Sequence, residues 1–241
     1  TAKTTASPPR YGATSTALLV RALRHWGLDA RIYIPDRLSE GYGPNVPAVE
    51  TLAREGIDLI VFVDSGIAAH APLARACELG LDAVVVDHHA VQGDLPPAVA
   101  CVNPNRHDDG SGLGHLCAAG LVWLLVRETD RKVARSSLAG RTLDLRPLLD
   151  LVALGTIADV VPLTGLNRAF AAEGLKVMGA THWAGLKALA VTSGAEAPFD
   201  AYHCGFMLGP RINAGGRIGA CDTGARLLST DDPVEADQLA T

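Results

Sequence analysis

An apolar run at residues 83–86 contains three consecutive valines and ends on Asp87, His88 and His89. β-Branched residues favour strands, and a strand without polar alternation is buried on both faces, as in a parallel sheet covered by helices. Ligands of such sheets bind outside the carboxyl ends of the strands. Carboxylate and imidazole groups bind divalent cations and move protons. The run therefore predicts a buried parallel strand with a metal or proton-transfer site at its end.

Helix and strand patterns alternate on both sides of that run. The predicted strands are residues 30–35, 58–63, 84–86 and 99–102, and the helices between them are residues 17–26, 45–55 and 69–79. This alternation predicts an α/β fold, a doubly wound parallel sheet with helices on both faces. Long helices then dominate, at residues 115–128, 145–157, 166–178 and 183–192 and from residue 233 onward. The sheet is therefore expected to be followed by a helical segment.

Composition narrows the class of protein. The chain has 241 residues, 48% of them hydrophobic, and a net charge of -5. That charge argues against a protein that coats nucleic acid by bulk charge, but it allows a local basic groove or a metal-mediated phosphate site. No apolar run reaches the roughly 18 residues that span a membrane, and the first residues lack the pattern of a secretory signal. The five cysteines form no CxxC pair and lie mostly in apolar surroundings, which indicates reduced, buried thiols in a cytoplasmic protein.

Two further acids and one glycine-rich stretch are candidates for chemistry. Asp64 follows the predicted strand at residues 58–63, so it should meet Asp87 at the same edge of the sheet. Asp159 lies among apolar residues, where an unpaired carboxylate is costly, so a metal or a cationic partner is expected there. Residues 209–219 combine glycines with two arginines and an asparagine, a composition that suits phosphate binding but is also common in plain loops.

The motifs together resemble the DHH phosphoesterase superfamily and, within it, the RecJ-type family of bacterial single-strand-specific exonucleases. The Asp-His-His triplet is shared across the superfamily, whereas residues 34–43 and 210–217 narrow the resemblance to the RecJ type. The matching stretches are residues 12–17, 33–37, 40–43, 63–67, 86–89, 102–105, 154–163 and 209–219. They occur in family order over nearly the whole chain.

The resemblance implies a two-metal site, holding manganese or magnesium, that activates water for in-line attack on a DNA phosphodiester. By their positions in the motifs, Asp64 would bridge the two ions, and His88 and Asp159 would bind one of them. His89 would contact the scissile phosphate. Asp87 would orient the two histidines without binding the metal itself.

The resemblance also implies the substrate and its contacts. The substrate would be single-stranded DNA, degraded from 5′ to 3′ in DNA repair and recombination. Three residues of the glycine-rich stretch would hold the DNA backbone near the cleft, namely Arg211, Asn213 and Arg217. The protein is expected to act as a cytoplasmic monomer without a membrane partner.

One stretch departs from the family. Immediately before Gly12 the family carries a strand that ends in Asp-x-Asp-x-Asp-Gly and supplies ligands to both metals. The equivalent positions here are Ser7, Pro9 and Tyr11, none of which is a usual ligand of a divalent metal, and proline is unsuited to a central strand. The first eleven residues are therefore expected to be an atypical segment. As written, the chain is expected to have little or no nuclease activity.

The expected domain organisation follows from these patterns. Residues 1–11 would be the atypical segment, residues 12–163 the DHH-type α/β core, and residues 164–241 a helical segment leading toward a C-terminal domain absent from this sequence. Two alternative functions stay open. One is a small-substrate DHH phosphoesterase acting on nucleotides or short oligonucleotides, and the other is a non-catalytic binding or scaffold protein with the same fold.

Overall fold

The computed structural model describes residues 2–6, 12–35, 43–218 and 221–241. Its strands are β1 (Ala2–Ala6), β2 (Arg31–Tyr33), β3 (Leu59–Val63), β4 (Asp82–Val86) and β5 (Ala100–Val102). They form one parallel sheet in the order β2-β1-β3-β4-β5. The order reverses between β1 and β3, and in an open parallel sheet the ligand crevice lies outside the carboxyl ends of the strands at that point.

Helices occupy most of the remaining chain. They are α1 (Gly12–His25), α2 (Val46–Arg54), α3 (His70–Glu78), α4 (Ala118–Val133), α5 (Leu149–Ala158), α6 (Gly165–Met178), α7 (Ala184–Ser193), α8 (Gly209–Ile218), α9 (Thr223–Ser229) and α10 (Pro233–Ala240). A short 3₁₀ helix spans Ala139–Arg141, and a π-helix spans His203–Leu208 immediately before α8. None of the described helices is long and apolar enough to cross a membrane.

The two faces of the sheet bury separate apolar cores. Successive side chains of a strand point to opposite faces, so Val61 and Val63 of β3 pack with α1, α4 and α5, whereas Ile60 and Phe62 pack with α2 and α3. Both faces are therefore covered by helices, which confirms the predicted doubly wound α/β sheet. This two-sided burial also explains why β3 and β4 carry unbroken apolar runs.

Local signals position several helix ends. Asn45 caps α2, since its side-chain oxygen accepts a hydrogen bond from the backbone N–H of Ala48 at 2.8 Å, and Pro47 lies in the first turn. Asp232 caps α10 in the same way through the N–H of Val234. Such caps satisfy backbone donors that have no partner within the helix.

The helices after residue 164 pack on the α/β core. One continuous apolar cluster runs from Ala17 in α1 to Ala236 in α10. Buried Arg21 of α1 reinforces this packing, since its guanidinium donates to the carbonyls of Leu228 and Thr230 and lies 3.8 Å from the ring centre of Trp183. The predicted long helices are confirmed, although α4 continues to Val133. The proposed boundary between residues 163 and 164 stays a prediction.

Two stretches form regular structure that their composition did not predict. Residues 2–6 of the atypical segment form the strand β1, which pairs with both β2 and β3, while Ser7, Pro9 and Tyr11 lie outside the described residues. Much of the glycine-rich stretch is the helix α8 rather than a loop. A Cβ on Gly209 would lie 3.1 Å from Ala158 Cβ and 2.8 Å from the carbonyl oxygen of Cys204, so glycine allows this helix to begin close against the end of α5.

The cysteines are free, as predicted. Cys117 and Cys204 are buried, whereas Cys77 is exposed, so the thiols are not uniformly part of the core.

Candidate metal centre

Strand register brings the acids of β3 and β4 together. Val63 is paired with Val86, the last residue of β4, and Asp64 and Asp87 follow these two residues. The ladder continues beyond both strand ends, because the N–H of Asp64 donates to the carbonyl of Val86 at 2.9 Å and the N–H of Asp87 donates to that of Val102 at 3.0 Å. Asp64 and the Asp87-His88-His89 triplet therefore lie side by side at the carboxyl edge of the sheet.

Four side chains from three elements form what we call the metal cluster, defined as Asp64, His88, His89 and Asp159. His88 Nε2 lies 3.1 Å from Asp64 Oδ1 and 3.6 Å from Asp159 Oδ2. One donor atom from each of Asp64, His88 and His89 lies within 4.8 Å of the other two. Asp159 enters from the C-terminal end of α5, where it is the C-cap. The cluster thus unites β3, β4 and α5.

The four side chains of the metal cluster differ in how far they are exposed to solvent. The side chain of Asp64 is 5% exposed and that of His88 is 15% exposed. Asp159 is 21% exposed, and His89 is the outermost at 49%. A molecule that approaches from solvent therefore meets His89 first, and the deepest oxygen belongs to Asp64.

The carboxylate of Asp87 accepts hydrogen bonds from neighbouring residues and is not directed at the other carboxylates. Its Oδ2 accepts the N–H of Ile67 at 3.0 Å, and its Oδ1 accepts the N–H groups of His88 at 2.8 Å and His89 at 3.2 Å. The same Oδ1 contacts His89 Nδ1 at 2.6 Å. With these bonds the 1% exposed Asp87 fixes the backbone of both histidines and the ring of His89, leaving His89 Nε2 for an external partner.

Two asparagines after β5 complete the support of this loop. Asn103 Nδ2 donates to the carbonyl of His89 at 2.9 Å, and Asn105 Nδ2 donates to the carbonyl of His88 at 2.6 Å. Asn103 Oδ1 in turn accepts the N–H of Asn105 at 2.8 Å. The motif match contains both residues, but the sequence alone assigned them no role. Their position after a strand, at the same carboxyl edge, was the signal that could have found them.

The two histidines do not diverge as adjacent residues of a strand do. Their ring centres lie 4.7 Å apart, and both rings contribute to the cluster. The difference has a local cause, because β4 ends at Val86 and strand alternation does not extend into the loop held by Asp87.

The backbone is strained beside two of the acids. Among the described residues other than glycine, positive φ occurs at Asp64 (58°) and at Val160 (57°), which follows Asp159. Aspartate tolerates this left-handed region, whereas a β-branched valine does so only at a cost. Such strain persists where the surroundings enforce it, and it concentrates at functional sites.

Burial and mutual contact shift the titration of the cluster. Burial raises the pKa of Asp64 and brings the pKa of Asp159 to about 6. Burial acts to lower the pKa of His88, but its hydrogen bond with Asp64 and the charges of Asp64 and Asp159 outweigh burial, so this pKa is raised. The hydrogen bond with Asp87 raises the pKa of His89 to about 9. Burial also acts to raise the pKa of Asp87, yet its hydrogen bonds leave that pKa below the ordinary range.

These residues fit a divalent cation. Carboxylate oxygens suit Mg²⁺ and Mn²⁺, and imidazole nitrogen suits the softer ions of the transition series. Burial opposes ionisation of Asp64 and Asp159, so both carboxylates gain from a nearby positive charge, which within the cluster His88 and His89 now supply. A cation held between the carboxylates would provide that charge more fully.

The three predicted DNA-binding residues are placed on α8, outside the metal cluster. Arg211 is exposed, and its Nη1 donates to the carbonyl of Met207 at 3.0 Å. Asn213 is half-buried. Arg217 belongs to α8, but its side chain lies outside what the structure describes. Because α8 begins against Ala158, it starts near the end of α5 that carries Asp159.

Solved structures support the likeness in fold. A crystal structure of exonuclease RecJ bound to manganese matches with a TM-score of 0.86 and 36% identity, covering 99% of this chain and 59% of that one. RecJ from Thermus thermophilus in complex with Mn²⁺ matches with a TM-score of 0.82 and 34% identity, covering 99% of this chain and 34% of that one.

Sequence comparison gives the family. The single-stranded-DNA-specific exonuclease RecJ of Bacillus subtilis is 39% identical over 230 residues, which are 95% of this chain and 28% of the relative. The chain thus spans well under half of that relative's length. The model of the DHH family, N-terminal domain, matches residues 12–156, a segment that holds Asp64 and the whole Asp-His-His triplet. This chain therefore belongs to the DHH family.

Proposed function

We propose that this chain is the metal-binding part of an exonuclease that degrades single-stranded DNA from 5′ to 3′ in DNA repair and recombination, with Mn²⁺ or Mg²⁺ as cofactor. One observation carries the proposal: Asp64, His88 and Asp159 converge at the carboxyl edge of a sheet that matches manganese-bound RecJ at a TM-score of 0.86. The chain would act in the cytoplasm as a monomer.

Each side chain of the cluster has a role that its geometry supports. Asp64, His88 and Asp159 would hold the divalent cations, and the family resemblance implies that Asp64, the most buried of the three, would be shared between them. When bound, the cations polarise the phosphate and activate water for in-line attack. His89 is the most exposed member, and its hydrogen bond with Asp87 raises the pKa of its ring. An N–H of this ring would suit a hydrogen bond to the scissile phosphate.

Asp87 would act through His89. It positions the ring through Nδ1 and stabilises the protonated form. On α8, Arg211, Asn213 and Arg217 would bind the DNA backbone.

The test restores the aspartates that the family carries before Gly12. In a restored variant, Ser7→Asp, Pro9→Asp and Tyr11→Asp would return the family pattern of alternating aspartates before Gly12. The unmodified chain is expected to bind Mn²⁺ weakly in calorimetry and to release little nucleotide from labelled single-stranded DNA. The restored variant is expected to bind Mn²⁺ more tightly and to release nucleotides from the 5′ end, in a reaction abolished by His88→Ala.

Three exposed positions provide a control for the three added negative charges. Val99→Asp before β5, Val191→Asp on α7 and Val234→Asp on α10 alter exposed side chains and should restore nothing. If the folded restored variant fails to cleave DNA with either Mn²⁺ or Mg²⁺, the proposed nuclease function is wrong. Robust cleavage by the unmodified chain would contradict the expected impairment.

The same assays separate the two alternatives raised by the sequence, neither of which the comparisons favour. A small-substrate phosphoesterase would hydrolyse dinucleotides but leave longer single strands intact. A scaffold would show no Mn²⁺ binding even after restoration.

A further inference from the structure

An exposed aromatic pair lies immediately before α8. The rings of Tyr202 and Phe206 are stacked, with centres 5.4 Å apart and planes inclined by 23°. Both residues remain open to solvent, at 61% and 72% exposure. Offset stacking at this distance is favourable in itself, but it leaves the outer aromatic faces uncovered.

Neighbouring side chains hold the ring of Tyr202 in place. The ring of His203 meets Phe199 edge-on at 5.7 Å and Tyr202 edge-on at 6.3 Å. His203 Nδ1 is itself fixed by a 2.8 Å contact with Asp200 Oδ1. Tyr202 therefore lies between His203 and Phe206 in a packed row of rings, and its ring is oriented before any ligand arrives.

The backbone that carries Phe206 lies beside the end of α5. Phe206 lies in the π-helix between Gly205 and Gly209. A Cβ on Gly205 would lie 3.8 Å from Ile157 Cγ2, and one on Gly209 would lie 3.1 Å from Ala158 Cβ. These two contacts are with the last turn of α5, and the next residue is Asp159 of the cluster.

A cation accompanies the aromatic pair. Arg211 is exposed, and its guanidinium donates to the carbonyl of Met207, the residue that follows Phe206. A flat aromatic surface with a neighbouring guanidinium matches the two components of a nucleotide, because bases stack on aromatic rings and phosphates bind arginine. A globular partner would require neither planarity nor this positive charge.

We propose that Tyr202 and Phe206 form a stacking site for an unpaired base of single-stranded nucleic acid, with Arg211 binding an adjacent phosphate. The inference rests on the proposed function and deepens it, because it assigns a source of single-strand selectivity. A base within a duplex is already stacked on both faces and has no free face for these rings. An unpaired base can stack on the exposed rings, and no nucleic-acid duplex has to be opened.

The test measures binding without cleavage. A fluorescently labelled oligothymidylate and an abasic oligomer of equal length are titrated with the 241-residue chain in a chelator, and fluorescence anisotropy is recorded. The unsubstituted chain should bind the oligothymidylate more tightly than the abasic oligomer. Tyr202→Ala and Phe206→Ala should each weaken binding of the oligothymidylate by about 5- to 100-fold and leave the abasic oligomer unaffected.

Three further variants identify the interaction, and a fourth is the control. Tyr202→Phe and Phe206→Tyr keep an aromatic face and should preserve discrimination between the two oligomers. Arg211→Ala should lower the affinity for both oligomers by the same factor. It should also reduce the slope of log affinity against log salt concentration by about one. Val191→Ala, an exposed change on α7, should alter neither affinity.

Three results would overturn the inference. These are equal affinity of the unsubstituted chain for the two oligomers, alanine variants that bind like the unsubstituted chain, and alanine variants that change the oligomeric state of the chain but not its DNA affinity. The last result would assign the rings to a protein contact. Because no divalent cation is present, failure here is distinguishable from failure of the restored variant to cleave DNA.

Discussion

Replacing Asp150 with asparagine should stabilise the folded chain at neutral pH. Asp150 is fully buried in the first turn of α5. Its Oδ2 accepts a hydrogen bond from Thr181 Oγ1 at 2.8 Å, and its Oδ1 accepts the N–H of Leu151 at 2.6 Å. Asparagine has nearly the same shape and can accept from Leu151 while donating to Thr181. The substitution therefore removes the charge and leaves Leu151 and Thr181 with a partner.

The magnitude follows from the titration of the carboxyl group. Burial raises the pKa of Asp150 from 3.8 to about 6. The folded state therefore binds this proton more tightly than the unfolded state, so ionisation lowers stability between about pH 4 and pH 6, and the full cost applies above that window. A pKa difference of 6 − 3.8 = 2.2 corresponds to about 3 kcal/mol.

The expectation is a gain of about 3 kcal/mol at neutral pH that vanishes near pH 4. Urea unfolding of the unsubstituted chain and of Asp150→Asn across this range measures the difference in the free energy of unfolding at each pH. Asp237→Asn, at an exposed position of α10, controls for the change in net charge. A difference that does not vary with pH, or an asparagine variant that is less stable at neutral pH, would refute the argument from burial.

Three other substitutions test the support of the metal cluster, with Mn²⁺ affinity measured by calorimetry in the restored variant. Asn105→Ala removes the hydrogen bond to the His88 carbonyl and should lower Mn²⁺ affinity about 10- to 100-fold; unchanged affinity would contradict a positioning role. Val160→Gly relieves left-handed backbone strain of about 1–2 kcal/mol, but the greater chain entropy of glycine costs about 0.5–1 kcal/mol. The free energy of unfolding in urea should therefore change little, whereas Mn²⁺ affinity should fall because Asp159 is held less firmly. Gly209→Ala places a Cβ 2.8 Å from a carbonyl oxygen and should destabilise the fold by about 1–3 kcal/mol; a variant with unchanged stability would show that α8 can shift away from α5.

The parts of the fold with strong local signals were predictable from the sequence. β3 and β4 carry apolar runs because both faces are buried, and a glycine follows each of the helices that precede them, at Gly56 and Gly80. β1 lacked such a signal, since the sequence Ala-Lys-Thr-Thr-Ala has no apolar run. Its place in the sheet comes from pairing with β2 on one side and β3 on the other, a non-local cause that strand propensity does not report.

The sequence predicted which residues form the candidate site better than it predicted how these residues contact one another. Acids and imidazoles at strand ends identified Asp64 and the Asp87-His88-His89 triplet, because parallel strands end at a common edge. The approach of Asp159 to His88 depends on how α5 packs, and the support by Asn103 and Asn105 depends on side-chain contacts with backbone carbonyls. Neither leaves a periodic trace in the sequence.

The sheet order gives a reason why the departure before Gly12 matters so much. The order reverses between β1 and β3, and Ala6, the last residue of β1, is paired with Val63, the residue before Asp64. Ala6 therefore lies at the edge where a ligand crevice forms, next to the residue that precedes Asp64. Burial opposes the charge of Asp64 and Asp159, which suits a cation that is also bound by further oxygens. Ser7, Pro9 and Tyr11 carry no carboxylate, so restoring aspartates at these positions tests whether the metal cluster needs them.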